Sequence, residues 1–412
     1  MKRVLSILFM VVLLVSPIIA KTTITHWMHY SPARVELILE MAEEFMAANP
    51  DVEIELQAIP EGEYKTKLLA ALAAGSGPDV AQIPSNAMTE FYNYGLIQPF
   101  PESVITTESI TGDYIPAAVE KLVIEGEVYG VPTDVQTVVL FYNPVLFEAA
   151  GLDPNRPPQD WNELMEYAQK TTIWQDGKMV QSGWGIAGYH PVVETFMRQA
   201  GATFWDESGE EIVFEEAQLE ALKFITDAVK VEKVYVPEFG SRWTGFKQIK
   251  QAMVFGHGAM VGSFLSTGSK DLLFKTALAP AHPGTGSRAN VITNWALVIM
   301  SDTDDSEAAA KWLTYITSAD AQKKWMLKTG ELPSLKKVLE DPELLSNDLY
   351  VPIFESLKYA VPTFSRGWAD PASELREIAY NEIINNNMDP KTALEKAIKE
   401  INIYLEETFS QF

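Results

Sequence analysis

A run of small residues ending in Gly75-Ser76-Gly77-Pro78-Asp79-Val80 constrains this chain more than any other stretch. Alanines at 70, 71, 73 and 74 suit the end of a helix, and Gly75 is a natural left-handed cap because it carries no Cβ. Gly77-Pro78 turns the chain, and Asp79-Val80-Ala81-Gln82-Ile83 reads as a short buried strand. The preceding segments complete the unit. Residues 22–27 are a β-rich run, and Ser31-Pro32 is a cap followed by a favoured first helical residue. Leu37, Ile38, Met41 and Phe45 recur at helical spacing. Val52, Ile54, Leu56 and Ala58 alternate with Glu53, Glu55 and Gln57, and Tyr64, Leu68, Ala71 and Leu72 return to the helical period. Strand, helix, strand, helix, strand predicts a doubly wound α/β domain. Ligands bind such sheets at the carboxyl ends of strands, so Pro84-Ser85-Asn86 is where a site is expected.

Residues 1–20 read as a secretory signal: Lys2 and Arg3, an apolar stretch over 4–15, then Ile18-Ile19-Ala20 as the cleavage site. The apolar run is short for a membrane span, and polar Lys21-Thr22-Thr23 follows. An exported, soluble protein is expected. The chain has no cysteine, which excludes disulfides, thiolate catalysis and Cys-based metal sites. Without the signal, 392 residues carry 30 basic against 56 acidic groups, a net charge of −26. That charge repels nucleic acid and anionic lipid. The length predicts two domains. No Ser/Gly linker, low-complexity run or internal repeat is visible, which suits lobes interleaved from several segments.

Further residues carry a family resemblance. Asn49-Pro50-Asp51-Val52, Pro60, Tyr64, Lys67-Leu68 and the Gly-Pro-Asp-Val turn are followed by Tyr129-Gly130-Val131-Pro132, Phe141-Tyr142-Asn143 and Ala150-Gly151-Leu152. Then come Trp161-Asn162-Glu163-Leu164, Gly258-Ala259-Met260, residues 309–313, Gly330-Glu331-Leu332-Pro333 and Ala393-Leu394. In this order the chain resembles the extracellular solute-binding proteins of bacterial ABC importers, in the oligosaccharide-binding group that includes maltose-binding protein. The resemblance implies an α/β, two-lobed periplasmic binding protein fold of type II. Each lobe would be a mixed, mainly parallel sheet flanked by helices, with the ligand cleft between them. Lobe 1 is expected from residues 21–136 plus 281–329 and lobe 2 from 137–280 plus 330–412, with crossings near 134–138, 279–284 and 330–334. The implied protein is a monomeric substrate-binding component of a sugar importer. It would close on an oligosaccharide and deliver it to membrane permease subunits, with no cofactor and no bond made or broken. With no cysteine to carry a lipid anchor, a periplasmic location is expected.

Sugars present hydroxyls at their edges and C–H patches on their faces, so a site needs flat rings and planar polar groups. Of ten tryptophans, Trp161, Trp312 and Trp325 sit at helical spacing and read as core; Trp174 and Trp205 lie beside polar turns and read as surface packing. Trp27 ends the first strand. Trp295 stands where the resemblance leads one to expect a Gly-Gly pair, and its ring would fill part of the groove. Trp368, in Phe364-Ser365-Arg366-Gly367-Trp368, resembles the family's late aromatic contact. The resemblance also points to Tyr189, His190, Trp243 and Phe264 as ligand contacts. Polar candidates are Asp134 and Gln136 at the first crossing and Asn86 at the strand tip, with Glu61 and Glu63 weaker. Arg198, Arg242, Arg288 and Arg366 lie near candidate loops. Two converging would indicate a uronic-acid ligand through bidentate pairing, with Arg242 and Arg366 the foremost candidates; otherwise they serve ion pairs within an acidic protein.

A secreted glycoside hydrolase is the rival reading. It needs two carboxylates at a set separation, and among 56 acidic residues a pair carries no weight. There is no Gly-x-Ser-x-Gly elbow, and the Gly-rich turns at 256–258 and 284–286 lack the Lys-Ser/Thr of a phosphate loop. His26 and His29 are close in sequence, but the five histidines show no metal-ligand spacing.

Overall fold

The computed structural model describes residues 21–186, 190–239, 241–364, 367 and 379–409. Among them, no helix is long and apolar enough to cross a membrane. The opening unit forms as its periodicity predicts: strand Thr22–His29, helix Pro32–Ala48, strand Val52–Ile59, helix Glu61–Ala73 and strand Val80–Pro84. Gly75 turns with φ +65°, the left-handed conformation that suits glycine. Asp79 then locks the third strand to the first, its Oδ2 accepting from Thr25 N at 2.8 Å and Thr25 Oγ1 at 2.7 Å.

The sheet of lobe 1 runs in the order Val52–Ile59, Thr22–His29, Val80–Pro84, Trp295–Met300, Ile97–Gln98, with Val131–Pro132 also paired to Trp295–Met300. The sheet of lobe 2 runs Ile173–Gln175, Lys178–Gly185, Gln251–Gly256, Val139–Tyr142, Lys275–Leu278. A three-stranded sheet of Ala360–Pro362, Asn290–Thr293 and Gln136–Thr137 joins them. Antiparallel pairings outnumber parallel ones in both lobes, so the sheets are mixed but not mainly parallel. The cause is the interleaving: Trp295–Met300 returns from the other lobe and enters against Val80–Pro84. Strand Val139–Tyr142 gives Val139 and Phe141 to one apolar core and Leu140 and Tyr142 to the other, the period of two at work.

Two crossings lie later in the chain than the sequence suggests. Residues 281–288 stay on lobe 2: Trp161 N donates to Ala281 O, the His282 ring meets Trp161 edge-on at 4.6 Å, and Thr285 Oγ1 donates to Gln199 O at 2.7 Å. The passage is made by Asn290–Thr293. The Pro-Gly run imitates a linker but is a loop held by hydrogen bonds. Gly330, with φ +75°, caps helix Ala319–Thr329 rather than opening a crossing. Leu332 bridges to Val135, Leu335 to Tyr114, and Asp341 pairs with Lys323, so residues 332–341 remain on lobe 1. Lobe 2 is rejoined by Leu349, whose carbonyl accepts from Thr276 Oγ1 at 2.7 Å.

The core tryptophans are where helical spacing puts them. Trp161, Trp312 and Trp325 are buried, and helix Pro390–Phe409 buries Ala393, Leu394, Ala397, Ile398 and Ile401.

Candidate functional site

The strand tips of lobe 1 bring Asn86, Trp295 and Gln136 along one edge. Asn86 lies in the turn Ser85–Ala87 directly after strand Val80–Pro84. Trp295 pairs with Pro84, and Asn294 clamps the turn by accepting Ser85 N at its carbonyl (3.0 Å) and Ser85 Oγ at its side chain (2.7 Å). Gln136 pairs with Thr293 in the joining sheet. The Trp295 ring leans on His29, centroids 4.4 Å apart.

Beyond Asn86 the two lobes enclose a cavity of about 550 Å³. Lobe 1 contributes Asn86 and Lys121, and lobe 2 contributes Arg198 and Trp205. Thr363 lines it too, held from both sides: Lys121 Nζ donates to its carbonyl at 2.8 Å, and its Oγ1 donates to Glu194 Oε2 at 2.8 Å. Asn86 exchanges bonds with Gly367, Nδ2 to O at 3.1 Å and N to O at 2.7 Å in return. An aromatic ring, an amide, hydroxyls, two cations and the two carboxylates of Glu120 and Glu125 around a volume of this size suit a small polar ligand with apolar patches. Trp205, Lys121 and Thr363 line this cavity and are not among the sequence candidates. The polar neighbours of Trp205 made it look like surface packing, and no local signal separates the two.

Behind this edge lies a charged cluster with little access to water. Arg34, 3 % exposed, gives its Nε to both carboxylate oxygens of Glu331 at 3.1 and 3.0 Å, and its Nη1 to His29 Nε2 at 2.6 Å. Trp325 Nε1 supports Glu331 at 2.6 Å. Asp134 is 0 % exposed, its Oδ1 accepting from Thr133 Oγ1 at 2.6 Å, with Arg34 Nη2 3.9 Å from Oδ2. Burial, then the nearby Glu331, push Asp134 up to about 7 against the opposing pull of Arg34. Burial, then the Arg34 charge, push His29 down to about 3.

The other sequence candidates are placed as follows. Phe264 is corrected to core: it is 2 % exposed and packed on Phe246, Phe141 and Phe274. Asp134 is likewise buried and offers no surface to a ligand in this conformation. Trp27 packs against the lobe 1 core, its carbonyl accepting from Tyr64 OH. Trp243 is half-buried beneath the Arg242 guanidinium, 4.1 Å from its ring centroid. Among the described residues, Arg198, Arg242 and Arg288 stand apart: Arg198 lines the cavity, Arg242 a separate small one beside Trp184, and Arg288 donates to Ala279 O and Gln159 O. Glu63 pairs with Lys67 at the surface, and Glu61 is exposed. His190 begins helix His190–Ala200. Tyr189, Arg366 and Trp368 lie outside the described residues.

The family model for bacterial extracellular solute-binding proteins matches residues 32–323. The chain belongs to that family. A maltotriose-binding protein of Pyrococcus abyssi is 24% identical over 388 residues, covering 90% of this chain and 79% of the relative. An arabinooligosaccharide-binding protein of Halalkalibacterium halodurans is 26% identical over 397 residues, covering 90% and 86%. The solved structure of the sugar-binding protein MalE from Xanthomonas citri superposes with a TM-score of 0.81 at 21% identity, covering 94% of this chain and 98% of that one. That likeness is one of fold.

Three buried imidazoles set the acid sensitivity of this solute-binding protein. Burial lowers His26 and His29 to about 3 and His257 to about 4. Each stays neutral in the fold but takes a proton on unfolding below its ordinary value, so each loses stabilising effect as pH falls from about 6.5. Asp134 acts oppositely, its contribution being present at acid pH and lost as pH rises through about 7. The imidazoles outnumber it. Denaturant unfolding should show stability falling by about 1–3 kcal/mol per pH unit from pH 6.5 to 5; stability that rises over that range would contradict this assignment.

Proposed function

We propose that this protein is the substrate-binding component of an ABC sugar importer, working outside the cytoplasm in a periplasm. An oligosaccharide is held between the lobes and passed to membrane permease subunits, with no bond made or broken. The observation that carries this reading is the interlobe cavity, where Asn86 and Lys121 face Arg198 and Trp205 across a sugar-sized volume. Two relatives named for maltotriose and arabinooligosaccharide binding support the ligand class. The ligand bridges both lobes, so its binding favours the closed arrangement over the open one. An acidic oligosaccharide is the second reading, in which Lys121 from lobe 1 and Arg198 from lobe 2 would pair with its carboxylate, against Glu120 and Glu125 in the same lining.

A thermal-shift screen over malto-, arabino- and manno-oligosaccharides and their uronic-acid counterparts tests both, since a ligand bound only by the native state raises the melting temperature. Binding should be one per chain at micromolar or tighter dissociation constants, about −8 kcal/mol. Chromatography should recover the sugar intact; cleavage that scales with protein would overturn the reading. Gln136→Leu should weaken binding roughly tenfold to hundredfold, because sugar hydroxyls that lose a partner in a desolvated cleft cost about 1–3 kcal/mol. Unchanged affinity would remove Gln136 from the site.

A further inference from the structure

The cluster behind the cleft has a charge imbalance. Two carboxylates, Asp134 and Glu331, meet one guanidinium, Arg34, in surroundings closed to water. Arg34 is committed elsewhere, its Nε to Glu331 and its Nη1 to His29. His29 supplies no second cation. Arginine only donates, so the His29 Nε2 must present its lone pair and the ring is neutral. The other charged or titratable groups acting on Arg34 or near it are Glu61, which adds negative charge, and His257 with Arg242 from lobe 2. His257 is buried and held neutral. Asp134 therefore has no counter-ion of its own: Arg34 Nη2 stands 3.9 Å from Oδ2, which meets no partner at hydrogen-bond distance among the described residues, and the nearby Gln136 amide favours the anion only in part.

Asp134 stands on the segment that leaves lobe 1 for lobe 2, two residues before strand Gln136–Thr137. We propose that closing the lobes takes up one proton at the Asp134 carboxyl, so that closure and ligand affinity strengthen as the medium acidifies. The inference rests on the hinged reading above. His257 and Gly258 of lobe 2 cover this cluster, Gly258 lying against Gly330 and Leu332, so parting the lobes withdraws that cover and lets water solvate the carboxylate. When they close, an unpaired anion in a dry cluster is costly, and protonation removes that cost while giving Asp134 a donor of its own. The raised value near 7 agrees with this geometry. Gln136, whose side chain faces the same carboxyl, places the proton beside the ligand edge.

The test needs no sugar. The chain has no cysteine, so Glu43→Cys on lobe 1 and Lys223→Cys on lobe 2, both exposed, can be spin-labelled and their separation measured by pulsed dipolar spectroscopy. The ligand-free protein should show two distances. The ratio of short to long should rise roughly thirtyfold from near pH 8.5 to near pH 5.5, the effect of one proton linked to a group that titrates at about 7 only when closed. Asp134→Asn should favour the short distance at both pH values. Glu331→Gln, which frees Arg34 to pair with Asp134, should abolish the response within that range and serves as the second variant if the first fails to fold. Two distances whose ratio ignores pH would overturn the proton linkage and leave the hinge standing; so would a full response retained in either variant. One distance under all conditions would overturn the hinge and the linkage together.

Discussion

Replacing Arg34 by Met should destabilise the protein by about 3–5 kcal/mol, because removing one member of a buried ion pair leaves an uncompensated charge. Arg34 and Glu331 are 3 % and 12 % exposed, so solvent screens the pair little. The loss would strip the cation from Glu331 while Asp134 remains beside it. Urea unfolding near pH 8, where both carboxyls are ionised on exposure, should show the full effect. Arg34→Met combined with Glu331→Leu should recover much of it, since an apolar pair of similar bulk escapes the desolvation cost. A loss below about 1 kcal/mol for the single variant would mean that the cluster is wetter than its burial indicates.

Trp312→Ala should cost about 3–5 kcal/mol by the same measurement, through a cavity rather than a charge. Trp312 is 0 % exposed and touches Phe45, Tyr315 and His26 at ring-centroid distances of 5.3, 6.4 and 6.1 Å. Its Nε1 also donates to His26 Nδ1 at 3.2 Å. Trp312→Phe should recover most of the packing but not that bond. If the alanine variant is as stable as the wild type, helix Ser306–Ile316 does not anchor lobe 1 as its burial indicates.

The elements that sequence reasoning placed well are those governed by nearby residues. The alternation from Val52 to Ala58 and the cap at Gly75 act within a few positions, and strand and turn form where they predict. The cap at Asp160, whose Oδ1 accepts from Glu163 N at 2.9 Å, is another signal carried within three residues. The misplaced features depend on residues far away. Arg34 is not among the sequence candidates, because Glu331, its partner in the buried pair, stands 297 positions along the chain. Phe264 follows a family contact region, yet Phe141, Phe246 and Phe274 surround it only once lobe 2 has folded. The second crossing, expected near 279–284 from the family resemblance, falls at Asn290–Thr293 instead. Asn290, which makes the passage, has its side chain paired with Val138, Oδ1 accepting from N at 2.9 Å and Nδ2 donating to O at 2.6 Å. Nothing near Asn290 in sequence reveals that partner.

Closure of two lobes on a sugar is the central claim, and small-angle X-ray scattering tests it most directly. Calorimetry first identifies an oligosaccharide that binds one per chain, and scattering is then recorded without it and at saturation. The account predicts a smaller radius of gyration with ligand, reversed on dialysis, with the sugar recovered unchanged. Saturating binding with an identical scattering profile would contradict closure, and the protein would then hold its ligand on a rigid frame.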